Sequence, residues 1–138
     1  HSPPVAEGWL ALFTAIRQRA TLPDRYRELA TLRVAVLNRA DYEFAAHVPF
    51  ARAAGVTDAQ IEALEADSEP DGLTEVDRAV LAYTDAMTRQ VQVPEEVFAR
   101  LRPHFDERQL VELTVTIGGY NLVSRFLEAL RVDHDRRP

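Results

Sequence analysis

Apolar residues recur every three or four positions along almost the whole chain, and no stretch shows the strict alternation of a half-buried strand. A first stripe of Trp9, Leu12, Phe13 and Ile16 predicts a helix over 5–19. The segment "TLPDRYRELATLRVAVLNRA" predicts a second, opening at Pro23 or Asp24 and closing at Asn38. Asp41 is placed to cap a third helix, and Gly55 to end it in left-handed backbone. Thr57 with Gln60 has the spacing of a reciprocal cap and opens a fourth. Thr74 caps "EVDRAVLAYTDAMTRQ", a short helix follows Pro94 as far as 101, and Asp106 with Gln109 opens a long last helix to Val132. The polar "DSEPDG" reads as a surface loop. These elements predict an all-α, single-domain bundle of six to seven helices over 1–138. Its short connections favour antiparallel neighbours. Frayed ends are expected at 1–4 and in the charged "DHDRRP" of 133–138.

Composition narrows the chemistry more than the fold. A chain of 138 residues can bury a real core. Its formal net charge of −6 argues against a sequence-independent nucleic-acid binder, which needs a basic surface to displace counterions. No apolar run approaches the roughly 18 residues of a membrane span, and no leader segment is recognisable, although His1 and Ser2 have the look of a tag remnant. With no cysteine there is no disulfide framework, so a soluble cytoplasmic protein is the expectation. All sixteen basic residues are arginine, which removes lysine Schiff-base and general-base chemistry. Thiolate nucleophiles and cysteine-ligated metals are removed as well. None of Ser2, Ser68 and Ser124 sits in a nucleophile elbow, and the five glycines build no phosphate loop. Catalysis, if any, falls to His, Glu, Asp, Tyr and Arg.

One segment concentrates those types. "NRADYEFAAHVPFARAAG", from Asn38 to Gly55, is mostly bland helix, yet it places Glu43 and His47 four apart and so on one face. Glu43 lies in the first turn, where the helix dipole favours a carboxylate. Pro49 has no N–H, so the Ala45 carbonyl loses its helical donor and a kink is expected. On the preceding helix Glu28 shares a stripe with Leu32, Ala35 and Val36. A rise of about 1.5 Å per residue puts Glu28 roughly 15 Å and His47 roughly 9 Å from the Asn38–Asp41 corner, so in an antiparallel pair the two side chains can lean together. Two readings follow. Glu43 and His47 form a solvated pair worth about 0.3 kcal/mol, with Glu28 an exposed partner of Arg25 or Arg27; or the three form an acid–base cluster. Carboxylates and imidazole suit Fe, Mn or Zn. The second histidine of H-E-x-x-H and the Glu-x-x-His of di-iron bundles are both missing, so no metal is expected.

The stretches "RELATLRVAVLNRADYEFAAHVPFARAAGVTDAQIEAL", "LTEVDRAVLAYTDAMT" and "ERQLVELTVTIGGYNLVSRFLEAL", in that order, resemble the carboxymuconolactone decarboxylase / alkylhydroperoxidase D-like family over about 27–130. The resemblance implies an all-α fold that assembles into trimers or hexamers, with active sites near subunit contacts. In the peroxidase branch a glutamate precedes two cysteines, separated by two residues, and a histidine. The glutamate matches Glu28 and the histidine His47, while the cysteine positions carry Ala40 and Glu43. Thiol-dependent peroxide reduction is therefore not expected. The decarboxylase branch carries the same Glu-x-x-x-His followed by Val and is the nearer of the two.

The expectation is an enzyme without cofactor, acting by proton transfer on a small carboxylated, lactone or carbonyl substrate, most simply by decarboxylation. His47 serves as general acid/base, Glu43 orients it, and Glu28 is a second proton-transfer group. Tyr42, Arg39, Tyr120 and Asn121 are candidate substrate contacts, and Arg33 and Arg125 are further candidates for a substrate carboxylate. Packing within the last helix is the competing reading for Tyr120 and Asn121. Close helix approach or room for a ligand would explain Gly118 and Gly119. The alternatives are an isomerase, dehydratase or cyclase using the same residues, or a non-catalytic oligomeric binding protein. The partners expected are a small molecule and further copies of the chain, with neither nucleic acid nor membrane. His104 and His134 carry no expected role.

Overall fold

The computed structural model describes residues 1–132; the 133–138 tail, with His134, lies outside the described residues. Among the described residues there are seven α-helices and no strand: α1 Pro3–Thr14, α2 Asp24–Asn38, α3 Asp41–Ala53, α4 Asp58–Glu65, α5 Glu75–Gln90, α6 Glu95–Ala99 and α7 Glu107–Leu130. None of them is long and apolar enough to cross a membrane.

The helix starts follow the capping chemistry. Reciprocal caps close at Thr57 with Gln60, at Thr74 with Asp77, and at Asp106 with Gln109. Two expectations need correcting. The first helix starts at Pro3, where a proline costs no hydrogen bond, and Ser2 is its N-cap, its carbonyl accepting from Ala6 at 3.0 Å, so residues 3 and 4 are helical rather than frayed. It also does not run α-helically to Arg19, because Ala15–Arg19 form a π-helical turn. The second correction concerns Asp41, which is the first residue of α3 rather than its cap. Arg39 turns left-handed at φ 54°, and the Ala40 N–H donates back to the Ala35 carbonyl at 2.9 Å. The chain reverses so tightly that Ala40 itself becomes the N-cap, with no side-chain cap bond. α3 continues through Pro49 as far as Ala53.

α2 is the axis of the fold, packed against α3, α5 and α7. Ala30 and Val34 join a core with Ala79, Val80, Leu113 and Ile117. Leu29, Leu32 and Ala35 join a second with Phe44, Ile61 and Leu64. A helix surrounded this way has almost no solvated side, so its polar residues are carried inside with it. Arg27, Glu28 and Thr31 are all buried. At Gly119 a Cβ would stand 3.4 Å from carbons of Phe13 and Ile16, at the short end of ordinary contact, so α1 and the π-turn lie directly against α7 there. A Cβ at Gly118 would meet nothing within 4 Å.

Candidate functional site

Three helices deliver the site. α2 brings Arg27 and Glu28, α3 brings Glu43 and His47, and α7 brings Tyr120 and Ser124. Each is buried. Glu28 uses both carboxylate oxygens: Oε1 accepts from Arg27 Nε at 3.0 Å, and Oε2 meets His47 Nδ1 at 2.7 Å. Arg27 also donates to Asp24 at 2.8 Å. An acceptor on Nδ1 places the ring proton there and leaves Nε2 as the atom free to exchange one. His47 Nε2 has no hydrogen bond among the described residues, and the side chain keeps 10% of its exposure. The His47 ring stands edge-to-face against Tyr120, centroids 4.8 Å apart at 85°.

The expected Glu43–His47 contact does not form. Spacing of four residues puts two side chains on one side of a helix, but the neighbouring helices choose their partners. α2 claims His47 through Glu28, and α7 claims Glu43, whose Oε2 lies 2.5 Å from Ser124 Oγ. The exposed-pair reading fails too, since Glu28, Glu43 and His47 are all buried. Glu43 Oε1 is the one fully sequestered side-chain polar atom without a partner among the described residues. Burial pushes the Glu43 carboxyl up to about 7; the Ser124 hydrogen bond pulls the other way and the nearby Glu128 charge adds to the rise.

Ser124 Oγ is also 3.0 Å from the Tyr120 carbonyl. A hydroxyl has one proton to give. With Glu43 protonated, its O–H donates to Ser124, whose own proton goes to the Tyr120 carbonyl. With Glu43 ionised, Ser124 must turn its proton to the carboxylate and release that carbonyl.

Burial also pushes the Tyr120 hydroxyl up to about 12, helped by the charges of Glu28 and Glu43 and opposed by Arg17 and Arg27. The phenol therefore stays a hydrogen-bond donor, and it has no partner among the described residues.

The other candidates fall elsewhere. Successive residues on a helix point about 100° apart, so Tyr42, one before Glu43, leaves the cluster. Tyr42 and the exposed Arg39 line a separate open groove of about 1160 Å³ with Val36, Phe44, Arg52 and Glu62, which neither Glu28 nor His47 lines. Asn121 ties three helices together, accepting from Asn38 and donating to Thr88, both at 3.0 Å. Arg33 is held by Asp85 and Asp67, each at 2.6 Å, and Arg125 by the Asn121 side chain at 2.9 Å. His104 is exposed in the turn before α7. Among the described residues no three His, Asp or Glu converge in a way that could hold a metal.

Two residues of the site escape sequence reasoning. Ser124 lacks a nucleophile motif, and nothing in its neighbourhood signals a partner 81 positions away. Arg17 rises from the π-turn with its guanidinium 5.0 Å over the Phe50 ring, which lies 5.8 Å from His47. Its only local signal is a charge beside the apolar Phe13 and Ile16.

The model of the carboxymuconolactone decarboxylase family matches residues 3–86, and the chain belongs to that family. Tyr120 and Ser124 lie beyond the matched residues. An uncharacterized protein of Bacillus subtilis (strain 168), YdfG, is 32% identical over 106 residues, which cover 75% of this chain and 72% of that one. The fold is AhpD-like. ATU0492 of Agrobacterium tumefaciens, a protein of unknown function proposed to be the antioxidant defence protein AhpD, superposes with a TM-score of 0.87 at 28% identity, covering 99% of this chain and 94% of that one. An uncharacterized peroxidase-related protein from Silicibacter sp. TM1040 shares the fold at TM-score 0.81 and 20% identity, over 96% of this chain and 71% of its own.

Proposed function

We propose that this member of the carboxymuconolactone decarboxylase family is an acid–base enzyme that transfers a proton to or from carbon on a small carboxylated, lactone or carbonyl compound, with decarboxylation the first reaction to test. The observation that carries the reading is the relay Arg27–Glu28–His47, which fixes one ring nitrogen and leaves the other, Nε2, without a partner among the described residues, beside a phenol that likewise has none among them. In decarboxylation the bond to the departing carboxylate breaks, and its electron pair moves onto the adjacent carbonyl to give an enolate. Tyr120 donates a hydrogen bond to the enolate oxygen. The imidazolium then gives its Nε2 proton to carbon and regains one from solvent. Glu28 orients the ring throughout. Glu43, neutral below about 7, is bonded to Ser124 rather than to His47 and so is not the orienting group.

Isomerisation, dehydration or cyclisation would use the same groups. Thiol-dependent peroxide reduction would not, because the chain has no cysteine and carries Ala40 and Glu43 where the family resemblance places the thiols.

We propose further that the enzyme is a homo-oligomer. Val111, Val115, Leu122 and Phe126, spaced four, seven and four apart, form an exposed apolar stripe along α7. A stripe of this kind on the longest helix is suited to burial against another copy.

The test works with a substrate class rather than a single compound. A panel of β-keto acids and unsaturated lactone carboxylates is incubated with the protein in D₂O, and deuterium incorporation and CO₂ release are followed by NMR. His47→Ala should lower the rate by about 10²–10⁴. An active wild type with an equally active His47→Ala variant would refute the mechanism.

A further inference from the structure

We infer that Arg17 is the specificity-determining residue at the mouth of this site, holding an anionic group of the substrate, a carboxylate by the chemistry above. The assignment rests on the reading of the His47 cluster as an active site. Most of the described arginines are committed: Arg25 to Asp77, Arg27 to Glu28 and Arg33 to Asp85, all within 3.0 Å. Arg17 has no acid partner among the described residues. Its guanidinium carbon lies over the Phe50 ring, 5.0 Å from the centroid, and Phe50 in turn lies 5.8 Å from the His47 ring. A cation–π contact restrains the guanidinium without using its N–H donors, so its fork remains available for a planar anion. Arg17 is also close enough to Tyr120 for its charge to act on the phenol. The exposed cation is therefore held beside a buried neutral hydroxyl donor and an exchangeable imidazole nitrogen.

The backbone supports the same reading. Arg17 is the middle residue of the π-helical turn Ala15–Arg19, and such turns recur at functional sites. Phe13 and Ile16 on the N-terminal side are pinned against Gly119, which fixes where the turn sits relative to Tyr120 one residue on. Phe50 is 47% exposed and follows the exposed Pro49, so it covers the site from outside without belonging to the core.

The test uses benzoate as probe, with benzamide as its neutral counterpart, titrated into the full chain while arginine Nε–H and histidine ring signals are followed by NMR. Benzoate should move the Arg17 and His47 signals in a saturable way, and benzamide should not. Arg17→Gln should weaken benzoate about tenfold to hundredfold, and Arg17→Lys should recover part of the loss. Arg131→Gln should leave benzoate binding within about twofold, because Arg131 lines the separate groove rather than this site. Benzoate that fails to bind wild type, binds Arg17→Gln equally well, or moves only the Arg39 and Arg131 signals of the distant groove overturns the assignment. Retained benzoate binding through Arg17 together with an unchanged exchange rate in His47→Ala would leave the anion site standing and sink only the proton-transfer mechanism.

Discussion

Replacing Glu43 by glutamine should change the slope of stability with pH by an amount set by one buried carboxyl. An ordinary glutamate ionises near 4.5, and burial moves this one to about 7 in the folded chain. The folded state thus holds a proton that the unfolded state has already released between those values. A group whose folded pKa is raised contributes stability that is complete below the unfolded value and disappears as pH rises through the folded one. At about 1.4 kcal/mol per pH unit, the wild type should lose about 3 kcal/mol from this group between pH 4.5 and pH 7. The glutamine of the Glu43→Gln variant keeps the shape of the neutral acid and cannot ionise.

The assay is urea unfolding of both proteins at one fixed protomer concentration, from about pH 4 to about pH 8, taking wild type minus variant at each pH. Subtraction cancels the carboxylates that behave the opposite way, such as the Arg25-paired Asp77, whose folded pKa is lowered. The difference should fall by about 3 kcal/mol as pH rises. Ser124→Ala, which removes the only donor to Glu43 among the described residues, should move the fall to higher pH. A flat difference, or one that rises with pH, would refute the account of Glu43 as a proton-bearing acid.

Glu28→Gln should lower turnover by about 10²-fold or more, because a carboxamide can offer Nδ1 either its oxygen or its NH2 and no longer dictates which ring nitrogen carries the proton. The ¹⁵N shifts of the His47 ring should show mixed tautomers, and a ring still held in one tautomer would show that Glu28 does not set it. Leu122→Glu combined with Phe126→Glu should dissociate the assembly to a single chain in light scattering, with the helical circular dichroism unchanged. A wild type that already scatters as one chain would rule out self-association through α7.

The starts of α4, α5 and α7 were legible because each is written locally: a Thr or Asp followed three residues later by Gln or Asp satisfies two orphan N–H groups whatever the helix later packs against. The π-turn had no such signature, since Ala15–Arg19 is acceptable α-helical sequence and the wider turn goes with the packing of Phe13 and Ile16 on Gly119. Asp41 misled because it is a good capping residue one position too late, after a reversal set by the left-handed Arg39. Glu28 and His47 were legible as neighbours because helical rise and a tight corner fix their depth. Which of two acids would take the histidine was not. That choice depends on the side from which α2 and α7 approach α3, and Ser124 and Arg17 reach the cluster through contacts no local pattern encodes.

The two glutamates show why the surroundings, rather than the residue type, assign the roles. Glu28 sits on α2 with a guanidinium on one oxygen and an imidazole N–H on the other, so its carboxylate is fully engaged and suited to holding His47 still. Glu43 sits one helix away with a single hydroxyl on one oxygen and, among the described residues, nothing on the other. Leaving a buried acceptor unpaired costs about 1–3 kcal/mol, more if it is charged, and a fold under no functional demand would remove it with an apolar residue at position 43. Retaining the acid there is coherent if its proton is used. The groups adjoining it, Ser124 and through it the Tyr120 carbonyl, change their hydrogen bonding with that proton. Activity limited by the neutral form of Glu43 would fall as pH rises through about 7. Glu43→Gln would keep the hydrogen-bonding shape and remove the proton, so it should abolish that fall even if turnover drops.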